Sequence, residues 1–465
     1  MSLSHARKLE VAVEVSPLTT LVTGVLAWIF PLGSFSSLFR KYAPNQWDRK
    51  LTISAITWLM LEVVTGSRRS VHAAYQADVR SKARTLQASY QALYQKYGRL
   101  STAYAAAIVR ASAQRCLVLL THAIGTLPEL FGWEGYRIRV LDGTDLDGSE
   151  HRLSVLRRLR SAGLPGRCVA SYDPASGLVL DVVASEDAYT SERVLARQIL
   201  EQARPMDLYV CDRFYCTTDL LFLLCDRQAF FVIRQFDRLR WHVVKELGSQ
   251  GRVETGVVSE QVIDVEDPDT GSRRRMRSII LRLDTPTSEG ETEIRLLTNL
   301  KGISACAICE LYRNRWTIER QFSVLKAELH GEIESLGQPR AALFALCSAM
   351  AAGNALAVVK RALCESHGAA VWEELSGYYL ADELASNSRA VEVLVGEAGT
   401  AYLAALPTPE FWRWCQTVAL RVEVAVFVKN KPRGPKKPPP KRVSGKGHPH
   451  YSTYRLLQEA KKDKC

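Results

Sequence analysis

Several kinds of chemistry have no foothold in this sequence. It contains no glycine-rich loop of the Walker type, so nucleotide phosphates have no ready backbone cradle. The apolar stretch 18–30 is interrupted by Thr19, Thr20, Thr23 and Gly24 and falls well short of the roughly 20 apolar residues that span a bilayer. It reads as a buried helix or loop. A secretory cleavage pattern is also missing, so a cytoplasmic protein with no membrane partner is expected. The eleven cysteines scatter over the chain, and apolar neighbours surround Cys116, Cys211, Cys225 and Cys347, which predicts reduced core residues instead of a disulfide framework. Cys306 and Cys309 form one CxxC, and His330 downstream has no partner at the spacing that a zinc knuckle needs. Strand signals are absent from the first 130 residues, which read as helical.

With 465 residues, 47% of them hydrophobic, the chain is long enough for several cores. Its net charge of +12 is concentrated at one end: residues 428–465 hold twelve Lys and Arg against Glu459 and Asp463, a net +10. That proline-rich segment cannot bury apolar surface, so it is expected to be extended until it meets a polyanion. DNA is the economical partner, through phosphate contacts and counterion release, and solubility is the alternative role.

The most informative stretch is 312–326, YRNRWTIERQFSVLK. At about 100° per residue, a helix sets Tyr312, Arg315, Glu319 and Lys326 on one polar stripe. Leu311, Ile318, Phe322, Leu325 and Leu329 form a second stripe beside it, suited to packing on a sheet. Mixed charge of this sort also makes ordinary solvated faces, with Arg315 and Glu319 as an i,i+4 pair. The spacing Tyr-x2-Arg-x3-Glu-x6-Lys, however, resembles the signature around the third catalytic carboxylate of a large family of bacterial insertion-sequence transposases. These are DDE enzymes of the retroviral-integrase superfamily with an RNase H-like core. The resemblance implies two upstream aspartates, each at the end of a β-strand.

Two such aspartates are present. Tyr136, Ile138 and Val140 alternate in period two, and the strand is expected to break at Asp142 and Gly143. Leu208 and Val210 share one face of a second strand that Asp212 closes, with Thr217 or Thr218 placed to cap the next helix. Asp145 and Asp147 compete for the first position but are expected in the loop beyond the strand. His151 could orient substrate or serve as a hydrogen-bonded structural residue. Between the aspartates, residues 167–185 read as a hairpin turning at 173–177, and residues 191–204 as a helix. A further strand, AFFVIRQF, completes the order that an RNase H-like core implies. From 237 to 299 the chain reads as a β-rich insertion, whose Arg273, Arg274 and Arg275 either contact DNA phosphates or are simply solvated.

The expected architecture is therefore α/β. It comprises a helical region 1–130 with a possible role in DNA-end binding, an RNase H-like core 131–340 with its insertion, a helical dimerisation region 341–427, and the basic tail 428–465. The resemblance implies that Asp142, Asp212 and Glu319 hold two Mg²⁺ ions, with Mn²⁺ as a substitute. Tyr312, Arg315 and Lys326 would bind phosphate oxygens, and Trp316 would stack on a base or pack in the core. The implied substrates are double-stranded DNA ends with terminal inverted repeats and a target DNA, bridged by a homodimer in a paired-end complex near the nucleoid. An RNase H-like nuclease, or a non-catalytic DNA-binding relative, is the alternative.

Overall fold

The computed structural model describes residues 3–44, 46, 48–81, 85–124, 135–146, 164–236, 238–287, 290–313, 315, 318–319, 322–323, 325 and 329–429. Among them, seven helices precede the first strand: α1 (Leu3–Val15), α2 (Pro17–Ile29), α3 (Ser34–Tyr42), α4 (Ile53–Val64), α5 (Val71–Arg80), α6 (Tyr90–Tyr97) and α7 (Thr102–Ile124). Ser16, Thr52, Ser70 and Ser89 start four of these helices, each side-chain oxygen accepting from a backbone N–H three residues on. Asp78 of α5 accepts from the N–H groups of Thr85 and Leu86, which precede α6.

The sheet begins with β1 (Arg137–Asp145), β2 (Arg167–Asp173) and β3 (Leu178–Ser185). It continues through α8 (Glu192–Leu200), β4 (Asp207–Cys211), α9 (Thr218–Asp226) and β5 (Phe230–Arg234). The spatial order is β3-β2-β1-β4-β5, with β1, β4 and β5 parallel and the β2–β3 hairpin antiparallel. This is the RNase H-like arrangement. The hairpin turns as its chemistry predicts: Asp173 accepts from Ala175 N–H and Ser176 Oγ, and Gly177 takes a φ of +73° that a side chain would resist.

The insertion is less separate than its sequence suggests. β6 (Trp241–Val253), β7 (Gly256–Glu266), β8 (Arg273–Leu283) and β9 (Glu293–Thr298) extend the same sheet to nine strands, in the order β5-β9-β8-β7-β6. β9 pairs with β5 from Val232↔Thr298 to Arg234↔Leu296, so one hydrogen-bonded surface runs through core and insertion. The outer strand β6 is exposed along most of its length and shifts register three times, which blunts an edge that could otherwise recruit another chain.

Both faces of the core sheet are covered. Leu141, Tyr209, Cys211, Phe231 and Ile233 pack with Leu195, Ile199, Leu220 and Leu224 of α8 and α9. Ile138, Val140, Leu208, Val210 and Val232 belong to the opposite core, with Ile308, Leu311, Phe322, Leu325 and much of the helix Pro339–His367. That helix and α7 are long and apolar enough to cross a membrane, and α2 with α3, bent by 47°, would make a third candidate. In the fold, 94% of the apolar window of Pro339–His367 is buried inside the protein, and 61% of that of α7. Asn354, 1% exposed within that helix, accepts from Val179 N–H and donates to Val179 O and Ser112 Oγ, so the edge strand β3 is satisfied by a side chain.

Candidate active site

The parallel ladder between β1 and β4 ends with the pair Leu141↔Cys211, which leaves Asp142 and Asp212 as the next matched positions. Alternation along a strand puts both on the face of Ile138, Val140, Leu208 and Val210. Ile318, Phe322 and Leu325 pack on that same face, all nearly inaccessible, and bring Glu319 to it. Strand β1 itself does not break at Asp142, contrary to expectation. It runs on to Asp145 because its antiparallel pairing with β2 persists to Asp145↔Arg167 after the pairing with β4 has stopped. Asp145, the competing candidate, is therefore a strand residue, held by Arg167 Nε at 2.7 Å and Nη2 at 2.9 Å.

The helix expected to run unbroken through 312–326 is also corrected. Helix α10 (Ala305–Arg313) ends before Arg315, which lies in a turn, and the chain is helical again at 318–319, 322–323 and 325. Bonds from Arg315 N–H to Tyr312 O and from Ile318 N–H to Arg315 O tighten the chain there and turn Arg315 inward. Its Nη1 lies 2.8 Å from Glu319 Oε1 and 3.6 Å from Asp142 Oδ2. At 7% exposure it is buried. Burial opposes its charge, but Tyr312, Asp212, Asp142 and Glu319 outweigh that and raise its pKa.

The carboxylates differ in environment. Burial pushes Asp142 up to about 7; Arg315 and the Gly143 N–H, which donates to its Oδ1 at 3.0 Å, pull it down, while Glu319 and Glu192 push further up. Asp212 caps the short 3₁₀ turn Arg213–Tyr215, accepting from Arg213 N–H at 2.6 Å. Tyr312 is nearly buried, and burial raises its hydroxyl pKa well above the ordinary value, keeping it a hydrogen-bond donor. Trp316, Lys326, Asp147, His151 and residues 430–465 lie outside the described residues.

Sequence spacing missed three residues around this site, Glu192, Arg167 and Tyr215, and placed the fourth, Asp145, in a loop. Glu192, Arg167, Asp145 and Tyr215 form a network under the end of β1, in which Tyr215 Oη donates to Glu192 Oε2 at 3.0 Å. The only trace in sequence was an acidic residue directly after Ser191, an ordinary helix start. The three arginines of the insertion are each engaged by a carboxylate: Arg273 with Glu266, Arg274 with Asp226 and Arg275 with Asp264.

As a donor set, Asp142, Asp212 and Glu319 are all hard oxygen ligands of the kind that Mg²⁺ and Mn²⁺ take. Among the described residues, no three of His, Cys, Asp and Glu stand close enough to enclose an ion. The Arg315 guanidinium lies between Asp142 and Glu319 instead. The residues thus fit a divalent ion in chemistry, with Arg315 beside one oxygen each of Asp142 and Glu319.

Residues 133–354 match the family described as the transposase DDE domain. The chain is 26% identical over 199 residues to a protein named "Probable transposase for insertion sequence element IS5377" from Geobacillus stearothermophilus, covering 42% of this chain and 48% of that one. It is 29% identical over 162 residues to y4zB, named as a transposase, from Sinorhizobium fredii, covering 34% of this chain and 43% of that one. The matched stretch therefore spans about half the length of these relatives. Among solved structures, the piggyBac transposase synaptic complex with hairpin DNA aligns over 89% of this chain and 86% of that one, at 8% identity and a TM-score of 0.38. Residues 133–354 of this chain are thus similar to the transposase DDE domain, and one of the matched relatives is named for an insertion sequence element.

Proposed function

We propose that this chain is a DNA transposase that cuts the ends of its own insertion element and joins the freed 3′-hydroxyls to target DNA. The observation that carries this reading is the register of β1 and β4, which sets Asp142 beside Asp212 on the face that receives Glu319. Enzymes of this family act with divalent metal ions. Two Mg²⁺ or Mn²⁺ ions, held by Asp142, Asp212 and Glu319, would activate the attacking oxygen and neutralise charge on the leaving one. Arg315, once its carboxylate partners turn to metal, presents its fork to a nonbridging phosphate oxygen. Tyr312 offers its hydroxyl to a neighbouring phosphate. Lys326 is assigned to phosphate binding by the signature, and Trp316 to base stacking by its place beside the signature residues in the sequence. Acting on two ends at once calls for a homodimer, at work on DNA in the cytoplasm.

The test uses the purified chain, a plasmid carrying the DNA that flanks its gene, and Mg²⁺. Wild-type protein should nick the element ends and join them to target. Asp142→Ala, Asp212→Ala and Glu319→Ala should each abolish both steps while retaining end binding. Activity in EDTA would overturn the metal mechanism, and nicking without any joining would identify a nuclease.

A further inference from the structure

Past the pair Leu141↔Cys211, no backbone ladder holds β1 and β4 together, so the spacing of Asp142 and Asp212 needs another determinant. The structure offers one on the far side of the sheet. Helix α8 packs Leu195, Ala196 and Ile199 beneath Leu141 and Cys211, and its first residue, Glu192, reaches up to Gly143. A Cβ placed on Gly143 would lie 2.3 Å from Glu192 Cδ and Oε2, so the carboxylate fills the space that a side chain there would need. Its Oε2 accepts from Tyr215 Oη at 3.0 Å. Tyr215, 1% exposed, ends the 3₁₀ turn that Asp212 begins. Burial first, and Glu192 next, push the Tyr215 pKa up, which keeps its hydroxyl protonated as the donor. Arg167 Nη2 stands 3.9 Å from Glu192 Oε1 and is itself fixed by Asp145 and by Thr190 O.

We infer that Glu192 is a positioning residue: its carboxylate, seated on Gly143 and bonded by Tyr215, ties the backbone after Asp142 to the backbone after Asp212 and so sets the distance between those two metal-binding carboxylates. The inference rests on the proposed assignment of Asp142 and Asp212 as ligands. It gives Gly143 a role that turn formation does not explain, since the residue lies within a strand.

Two measurements test it: Mn²⁺ binding to the full chain without DNA, by calorimetry, and the Mg²⁺ dependence of end nicking. Glu192→Ala, Tyr215→Phe and Gly143→Ala should each weaken Mn²⁺ binding by roughly ten-fold, the effect typical of losing a supporting partner, and raise the Mg²⁺ needed for nicking. Glu192→Gln keeps an acceptor for Tyr215 and should bind Mn²⁺ nearly as the wild type does. The double variant Glu192→Ala with Tyr215→Phe should be no worse than the poorer single one. Unchanged Mn²⁺ binding in the folded single variants would overturn the inference. So would Gln as damaging as Ala, which would make the charge itself the active feature, or full additivity in the double variant. If wild-type protein failed to nick while the Mn²⁺ pattern held, only the proposed function would fall.

Discussion

Arg315 is the residue whose surroundings differ most from what spacing alone predicts. On a uniform helix it would stand on a polar stripe with Tyr312 and Glu319, largely in water. In the fold it is 7% exposed and bridges Glu319 and Asp142, which lie on different elements. Truncating one partner of such a buried arrangement leaves charge uncompensated, so Arg315→Ala should destabilise the metal-free protein by on the order of 3 kcal/mol. Added Mg²⁺ should recover part of that loss, because the ion replaces the missing positive charge between the carboxylates. Arg315→Lys should retain most of the stability but little end cleavage, since a point charge cannot span two acceptors or grip a phosphate through two parallel bonds. Thermal unfolding with EDTA and with Mg²⁺, beside nicking assays, separates these effects. A variant Arg315→Ala as stable as wild type in EDTA would show that the guanidinium does not hold the carboxylates together.

At the scale of elements, the legible parts were those where one local pattern decides the outcome. Asp142 and Asp212 could be found because each follows a short period-two run, and Ile318, Phe322 and Leu325 because helical spacing marks a core face. Strand β6 lies within the stretch read as β-rich but could not be placed as a strand of its own, because its sequence WHVVKELGSQGRV is largely polar, contains Gly248 and Gly251, and is held by β7 instead of by burial of its own. Glu192 was illegible for another reason: its partners Gly143 and Tyr215 are brought to it by the sheet, and no spacing along the chain encodes them. The insertion shows the same dependence on context. Arg273 and Arg277 look alike in RRRMR, yet Arg273 pairs with Glu266 in solvent, while Arg277 grips the nearly inaccessible Glu260 at 2.6 and 3.0 Å and donates to Leu300 O. Arg277→Ala should therefore cost on the order of 3 kcal/mol, and Arg273→Ala about 0.5 kcal/mol or less. Urea midpoints of the two variants check this, and equal effects would mean that the Arg277 pair is not the buried clamp of the insertion.

For the whole molecule, the helices before the sheet and those after it share one core: α2 contributes Leu18, Leu21 and Val25 to the same cluster as Leu343 to Leu346 and Leu403. Residues 1–428 form a compact unit, so the end regions expected at 1–130 and 341–427 meet through that core. The unit closes at its last described residues, where Val428 bridges Leu375 and Phe427 O accepts from Ser376 N–H. A truncation meant to probe the basic tail must leave that closure intact, which moves the cut from Val428 to Asn430. Residues 430–465 still carry eleven Lys and Arg against Glu459 and Asp463, a net +9. If they bind DNA, their removal should flatten the log–log salt dependence of non-specific binding by about 0.9 for every phosphate they neutralise, and binding at physiological salt should weaken accordingly. The thermal midpoint should stay the same, because the bonds that close the 1–428 unit are all retained, and nicking of element ends should persist at low salt. An unchanged salt slope in the shortened chain would assign the tail to solubility, whereas a lowered thermal midpoint would show that it also supports the folded unit.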